Sequence, residues 1–251
     1  MSPKFVHLHL HSEYSLVDGL VRIPELISHC TQNGTAAIAL TDQSNVFGSS
    51  KFFRSAMSAG IKPIIGADLW VVDSENTGKP YKIVFLCQNN LGYKNLSILL
   101  TRAYREGQHR GIPMVHENWL TISQLTGIIC LSGGISGDIG LAFLTGSKET
   151  MLRSAAKWQA LIGERYYLEV FRTGRLQEEA YLQEVASVAE HLAIPLVATN
   201  DVRFRNADDY EVHEARVCIQ QGRMLSDPRR PKLYSAEQYL RTEEEMIMLF
   251  E

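Results

Sequence analysis

Short apolar runs alternate with longer amphipathic segments about seven times along the 251 residues, and this alternation limits the fold more than any other feature. "KFVHLHL", "TAAIALT", "IKPIIGADLWVV", "YKIVFLC", "GIICLS", "YYLEVF" and "IPLVATN" read as strands. Between them, "IPELISHCTQNG", "GSSKFFRSAMSAG", "GYKNLSILLTRAYREG", "SKETMLRSAAKWQALIG", "LQEEAYLQEVASVAEHLA" and "ADDYEVHEARVCIQQG" carry helical period. Pro24 suits a first helical turn, and Gly34 and Gly60 suit helix ends. "ENTGKP", residues 75–80, reads as a turn. Alternation of this kind predicts an α/β fold with a parallel sheet. No glycine-rich dinucleotide fingerprint follows the first strand, which favours a barrel over an open nucleotide-binding sheet. The expected architecture is a seven-stranded (β/α) barrel, a distorted TIM-like fold, over residues 1–225. A C-terminal extension over 226–251 is expected to be irregular, then helical, and to end without a cap, as a piece of a longer chain would.

The chain's chemistry narrows the function classes. Net charge is −3 with 21% charged residues, so no basic excess marks a nucleic-acid binder in its own right. Cys30, Cys87, Cys130 and Cys218 lie far apart without a CxxC pair, which argues against disulfides or a thiolate zinc site and fits a reducing, cytoplasmic setting. No apolar run approaches the roughly 20 residues of a membrane span, so no membrane contact is expected.

In barrels of this class chemistry gathers where the strands end. His9 and His11 end the first strand, and Asp18 follows. Asp42 and Gln43 follow the second strand, Asp68 the third, and Asp201 the last. Residues i and i+2 of a strand share a face, so His9 and His11 can converge on one point. Imidazoles and carboxylates together suit zinc, manganese or iron. His7 shares their face one step deeper and reads as a packing residue. His29, His109, His116, His191 and His213 have no evident partner and read as structural.

"HLHLHSEYSLVDG", "ALTDQSNVFGSSKF", "GIKPIIGADLWV", "LGYKNLSILLTRAY", "ATNDVRF" and "YLRTEEEM" resemble the PHP domain that heads the alpha subunits of bacterial DNA polymerase III, in register from Phe5 onward. The resemblance implies a barrel placed ahead of a replicative polymerase, whose catalytic magnesium ions belong to a palm domain outside this sequence. It also implies nine metal-ligand positions. By that pattern the chain keeps His9, His11, Asp18 and Asp201, and has Asp68 where Glu is usual. It departs at Gln43, Lys82, Gly134 and Arg203.

Lysine and arginine offer no lone pair to a metal at neutral pH. Lys82 and Arg203 are therefore expected to act as countercharges for the retained acids, and should point at Asp18 and Asp201. No firmly bound cofactor is expected, and at most one weakly held zinc or manganese ion, on His9, His11 and either Asp18 or Asp201. The resulting expectation is a catalytically inactive module of the alpha chain that docks the proofreading exonuclease subunit and meets DNA only through the parent holoenzyme. A metal-dependent 3′–5′ exonuclease or phosphoesterase with a reduced site is the alternative. A free-standing phosphatase like the histidinol-phosphatase relatives fits less well, because "LGYKNLSILL" and "YLRTEEEM" are polymerase-like.

Overall fold

A computed structural model of the chain describes residues 5–73 and 79–251. The turn expected over 75–80 lies mainly outside these residues. Eight strands and eight α-helices alternate among the described residues. In chain order they are α1 (Ile23–Gln32), β1 (Ala37–Leu40), α2 (Ser49–Ser58), β2 (Lys62–Val72), β3 (Tyr81–Cys87) and α3 (Asn90–Glu106). Then follow β4 (Gln108–His109), β5 (Ile112–His116), β6 (Ile128–Leu131), α4 (Asp138–Leu144), α5 (Lys148–Ile162) and β7 (Tyr166–Val170). The chain closes with α6 (Glu178–Leu192), β8 (Leu196–Ala198), α7 (Tyr210–Gln221) and α8 (Glu243–Phe250).

The α/β class and the barrel-like layering stand, but the sheet is mixed rather than parallel. β1–β2, β2–β5, β6–β7 and β7–β8 pair in parallel, whereas β3 runs antiparallel to both β2 and β6. The cause is length. Only residues 73–80 separate β2 from β3, too few for the crossover that a parallel pair needs. The small β4–β5 hairpin is a further addition that the alternation did not announce.

The first apolar run is extended but irregular, with Leu10 as an isolated bridge partner of Val202. Its backbone nevertheless ties both flanks together. Ala39 and Thr41 donate to His7 and Leu10 carbonyls, while His11 donates to Val202 and Val202 to His9. Leu8, Ala39, Ile64, Val84, Leu86, Ile129, Leu131, Tyr167 and Val197 meet in one small interior cluster. They come from the first run and from β1, β2, β3, β6, β7 and β8, as the inside of a barrel requires.

Alternate strand residues face the helices. Ile83, Phe85, Ile128, Cys130, Tyr166 and Leu168 pack there with Leu96, Trp158 and Val185. Strand parity then places what lies one step beyond the interior cluster. Lys82 continues the inward row of Val84 and Leu86, Asp68 that of Ile64, and Glu169 that of Tyr167. Polar side chains therefore gather at one end of an otherwise apolar sheet face.

Residues 226–251 lie against that same end. Gln238, Leu240 and Met246 are buried, and Phe204 and Tyr239 form a parallel bridge. α8 opens with a capping box between Thr242 and Glu245, a signal in "RTEEEM" that the sequence reading did not use.

Candidate metal centre

His9, His11, Asp18, Asp68, Asp201 and Arg203 are all at most 3% exposed. The structure brings together each retained position named from the sequence. Donor atoms of His9, His11 and Asp68 lie within 4.8 Å of one another. Asp68 Oδ2 is 3.2 Å from His11 Nε2 and 3.7 Å from His9 Nε2, and His9 Nε2 is 3.4 Å from Asp201 Oδ1. Asp68 is held in place by its backbone, which donates to Asp42 and accepts from Ser44.

Arg203 lies between the two remaining acids. Nη1 donates to Asp18 Oδ2 at 2.9 Å and also contacts His11 Nδ1, and Nη2 pairs with Asp201 Oδ1. Asp201 takes a second guanidinium bond, from Arg175 at 2.9 Å, and an amide bond from Gln238 at 2.8 Å. Asp18 also accepts from the Tyr234 hydroxyl at 3.0 Å. Lys82 takes a different partner from the one expected: its Nζ lies 2.7 Å from Asp68 Oδ2, over the Trp70 ring.

These contacts set the charges. Burial works to raise the Asp18 pKa, and Arg203 with His11 outweighs it, holding the carboxyl well below the usual carboxylate range. Burial opposes ionisation of Asp68 in the same way, and Lys82 with the two histidines overcomes it. Asp201 is depressed against its burial by Arg203, His9 and Arg175. His9 would lose its proton through burial alone, but Glu169 and Asp201 raise it to about 10. Burial would likewise favour losing the Arg203 proton, yet Asp18 and Asp201 hold it more firmly than usual.

The four departures from the ligand pattern have distinct environments. Gln43 turns its amide to the Asp68 carbonyl at 3.0 Å. Lys82 and Arg203 are ion-paired as described. Gly134 sits at φ +56°, and a Cβ there would lie 2.1 Å from the Phe171 ring. That ring contacts His9, with centroids 6.1 Å apart, so aromatic carbon fills the volume beside Gly134. Asp42 faces elsewhere: it accepts from Ser12 and Ser15 and pins the loop after His11.

Sequence reading missed four members of the site. Glu169 accepts from His9 Nδ1 at 3.0 Å and from the Thr199 hydroxyl at 2.7 Å. An acid inside the buried run "YYLEVF" was the signal for it. Arg175, Tyr234 and Gln238 come from loops, where no periodicity points to them.

A fit for a divalent ion can be judged from the donors themselves. His9 Nε2, His11 Nε2 and Asp68 Oδ1 are buried without hydrogen-bond partners. Those residues suit one ion with a low count of protein donors, at Asp68 rather than at Asp18 or Asp201. A site for two or three ions does not fit, because Arg203 is already bonded to both Asp18 and Asp201.

The α/β fold with a mixed sheet carries buried histidines and carboxylates at one end, and comparison with known proteins places the chain in a family. The PHP domain pattern matches residues 7–173, and the chain belongs to the PHP domain family. It is 46% identical over 250 residues to the DNA polymerase III subunit alpha of Pseudomonas fluorescens. Identity is 44% over 248 residues to that of Vibrio cholerae and 42% over 248 residues to that of Escherichia coli K12. Each alignment takes 99% or more of this chain and 21% of the relative, so the chain spans about a fifth of their length. Among solved structures, an amidohydrolase from Chromobacterium violaceum is similar in fold, with TM-score 0.54 and 15% identity over 84% of this chain and 96% of that one. Among the described residues no helix is long and apolar enough to cross a membrane.

Proposed function

We propose that this chain is the PHP module of a cytoplasmic DNA polymerase III alpha subunit, with its hydrolytic centre converted into a structural one. The observation that carries this reading is the Arg203 guanidinium bonded to both Asp18 and Asp201, with Lys82 on Asp68. Fixed cations stand against the carboxylates, and uncompensated buried charge would cost several kcal/mol, so the cluster is stable without ions. Residues 234–238 add a further seal, since Tyr234 and Gln238 bond the same two acids. On this reading the module supports the rest of the alpha chain, docks the proofreading exonuclease subunit, and approaches DNA only through the assembled polymerase.

A second reading has its own support. The partnerless His9, His11 and Asp68 atoms could hold one zinc or manganese ion, which would supply positive charge to a phosphoester. The chain would then be a reduced-site exonuclease or phosphoesterase. Release of nucleotide from a 3′-labelled DNA strand, with manganese or zinc supplied, separates the two. No release above a His11→Ala control is the expected result. Metal-dependent release that His11→Ala abolishes would overturn the structural reading. Docking has its own check: co-elution with the exonuclease subunit on gel filtration supports it, and separate elution at micromolar concentration removes it.

A further inference from the structure

We infer that the outward face of α3 is a contact for single-stranded DNA, weak in the separate chain and used where the assembled polymerase brings a strand to it. This goes beyond the proposed function and takes from it only the nearness of DNA.

The chain as a whole is acidic, with a net charge of −3. Residues 90–112, which form α3 and lead through β4 into β5, run the other way: Lys94, Arg102, Arg105 and Arg110 stand against one acid, Glu106. Among the described residues Lys94, Arg105 and Arg110 form no ion pair. Arg102 is partly occupied, with Nε 2.8 Å from Glu106 Oε2 and its guanidinium 4.1 Å from the centre of the Trp119 ring. Unpaired cations gathered on one face of an acidic molecule favour an anionic partner there.

Helix geometry orders the face. At 3.6 residues per turn Lys94, Thr101 and Arg105 fall in one row about 16 Å long. Tyr93 and Tyr104 form one edge of that row and Arg102 the other. The row lies in an open groove of about 400 Å³ whose lining holds one apolar side chain, Ile98. The Ser97 and Thr101 hydroxyls donate to carbonyls one turn back and keep lone pairs free to accept. Tyr93 is 42% and Tyr104 39% exposed, and Phe47, itself exposed, lies 6.3 Å from Tyr104 between ring centroids. Leu96, Leu99, Leu100 and Ala103 on the opposite side hold α3 to the core, so the outward residues are not needed for packing.

The mixture of groups selects the partner. A track of cations beside exposed aromatic rings is what sequence-independent single-strand contacts use: phosphates follow the cations and bases stack on the rings. A duplex keeps its bases stacked inside and offers none to the tyrosines. An acidic amphipathic helix needs an apolar groove with several anchors at helical spacing, and Ile98 alone does not supply one.

Fluorescence anisotropy of labelled oligo-dT, at low salt in EDTA, tests the contact, with circular dichroism to verify folding. Wild type should bind, and its affinity should fall with salt at a log–log slope of about −2, the value for three phosphates of a single strand. Lys94→Glu with Arg105→Glu should remove most of the binding and flatten that slope. Tyr93→Ala with Tyr104→Ala should weaken binding about fivefold or more, as loss of one stacked base does. Arg153→Glu with Arg223→Glu makes the same charge change at exposed positions on other elements and should leave most of the binding. No binding by wild type at millimolar chain overturns the inference. So does an equal loss in the Arg153 and Arg223 variant, which would trace binding to net charge. Poly-glutamate bound as tightly as oligo-dT, with the tyrosine variant unchanged, would assign the face to an acidic protein and overturn the strand contact. The nuclease assay is independent, because EDTA withholds metal from the binding test. Nucleotide release that His11→Ala abolishes would remove the structural reading and leave the α3 result standing.

Discussion

The two sides of the buried centre solve the same electrostatic problem differently. On one side Asp18 and Asp201 are saturated by Arg203, Arg175, Tyr234 and Gln238. On the other, His9 Nε2, His11 Nε2 and Asp68 Oδ1 have no hydrogen-bond partners, and Lys82 reaches only one Asp68 oxygen. The difference follows from side-chain geometry. A guanidinium is a rigid fork that can serve two carboxylates at once, whereas an ammonium is a point charge at the end of a flexible stem. The guanidinium therefore closes one half of the site, and the ammonium leaves the other half part open.

The strongest way to break that contrast is Arg203→Met. It leaves Asp18 and Asp201 buried, with Arg175 and His9 still beside Asp201 but no guanidinium on Asp18. Removing one partner of a buried pair costs about 3–5 kcal/mol, so urea denaturation should show a loss of that size. The acid limb of the stability curve supplies the sign. Both carboxyls are depressed in the folded chain, so their contribution is fully present above the unfolded value, about 4, and is lost as pH falls below it. Arg203→Met should flatten that limb. A variant as stable as wild type at pH 7, with the same acid limb, would show that Arg203 does not hold the two acids.

Gly134→Ala probes the Phe171 ring beside His9 and Arg175. The added Cβ meets the Phe171 ring at 2.1 Å, on a backbone at φ +56° that favours glycine. Overpacking and strain together predict a loss of about 2–4 kcal/mol by thermal denaturation. Combining it with Phe171→Leu should recover part of the loss. If the single variant is neutral, the ring moves freely and does not fill the place of the missing ligand.

How much of this was written in the chain depends on which physical rule was at work. Helix starts and core faces were legible because they are local: Pro24 opens α1. The meeting of His9, His11, Asp68 and Asp201 was legible because His9 and His11 share a spacing and because the later acids sit at strand ends. The direction of β3 was misread although the turn before it was recognised, since a short link between strands already implies an antiparallel pair. Lys82 was expected at Asp18 or Asp201 and meets Asp68 instead: which carboxylate it meets depends on strand register, Lys82 standing opposite Trp70 two residues from Asp68. Tyr234 and Gln238 were not legible at all. They reach Asp18 and Asp201 across 216 and 37 residues of sequence, and nothing in an irregular segment signals such a return.

Lys82→Met sharpens the contrast from its open side, because its two effects run in opposite directions. Methionine keeps an apolar stem but withdraws the ammonium from both Asp68 Oδ2 and the Trp70 ring. The Asp68 carboxylate then keeps the two histidines as its nearest side-chain partners, and stability should fall by about 1.5–3 kcal/mol, the range of a charged hydrogen bond. Zinc uptake should rise, since the ammonium no longer competes for the oxygen that lies 3.2 Å from His11 Nε2. Chelator competition on wild type and variant measures this directly. Loss of stability with tighter zinc binding places Lys82 as the guard of the open half. Loss of stability with unchanged zinc binding would mean that an ion, if bound, uses the other Asp68 oxygen, and that Lys82 and a metal coexist.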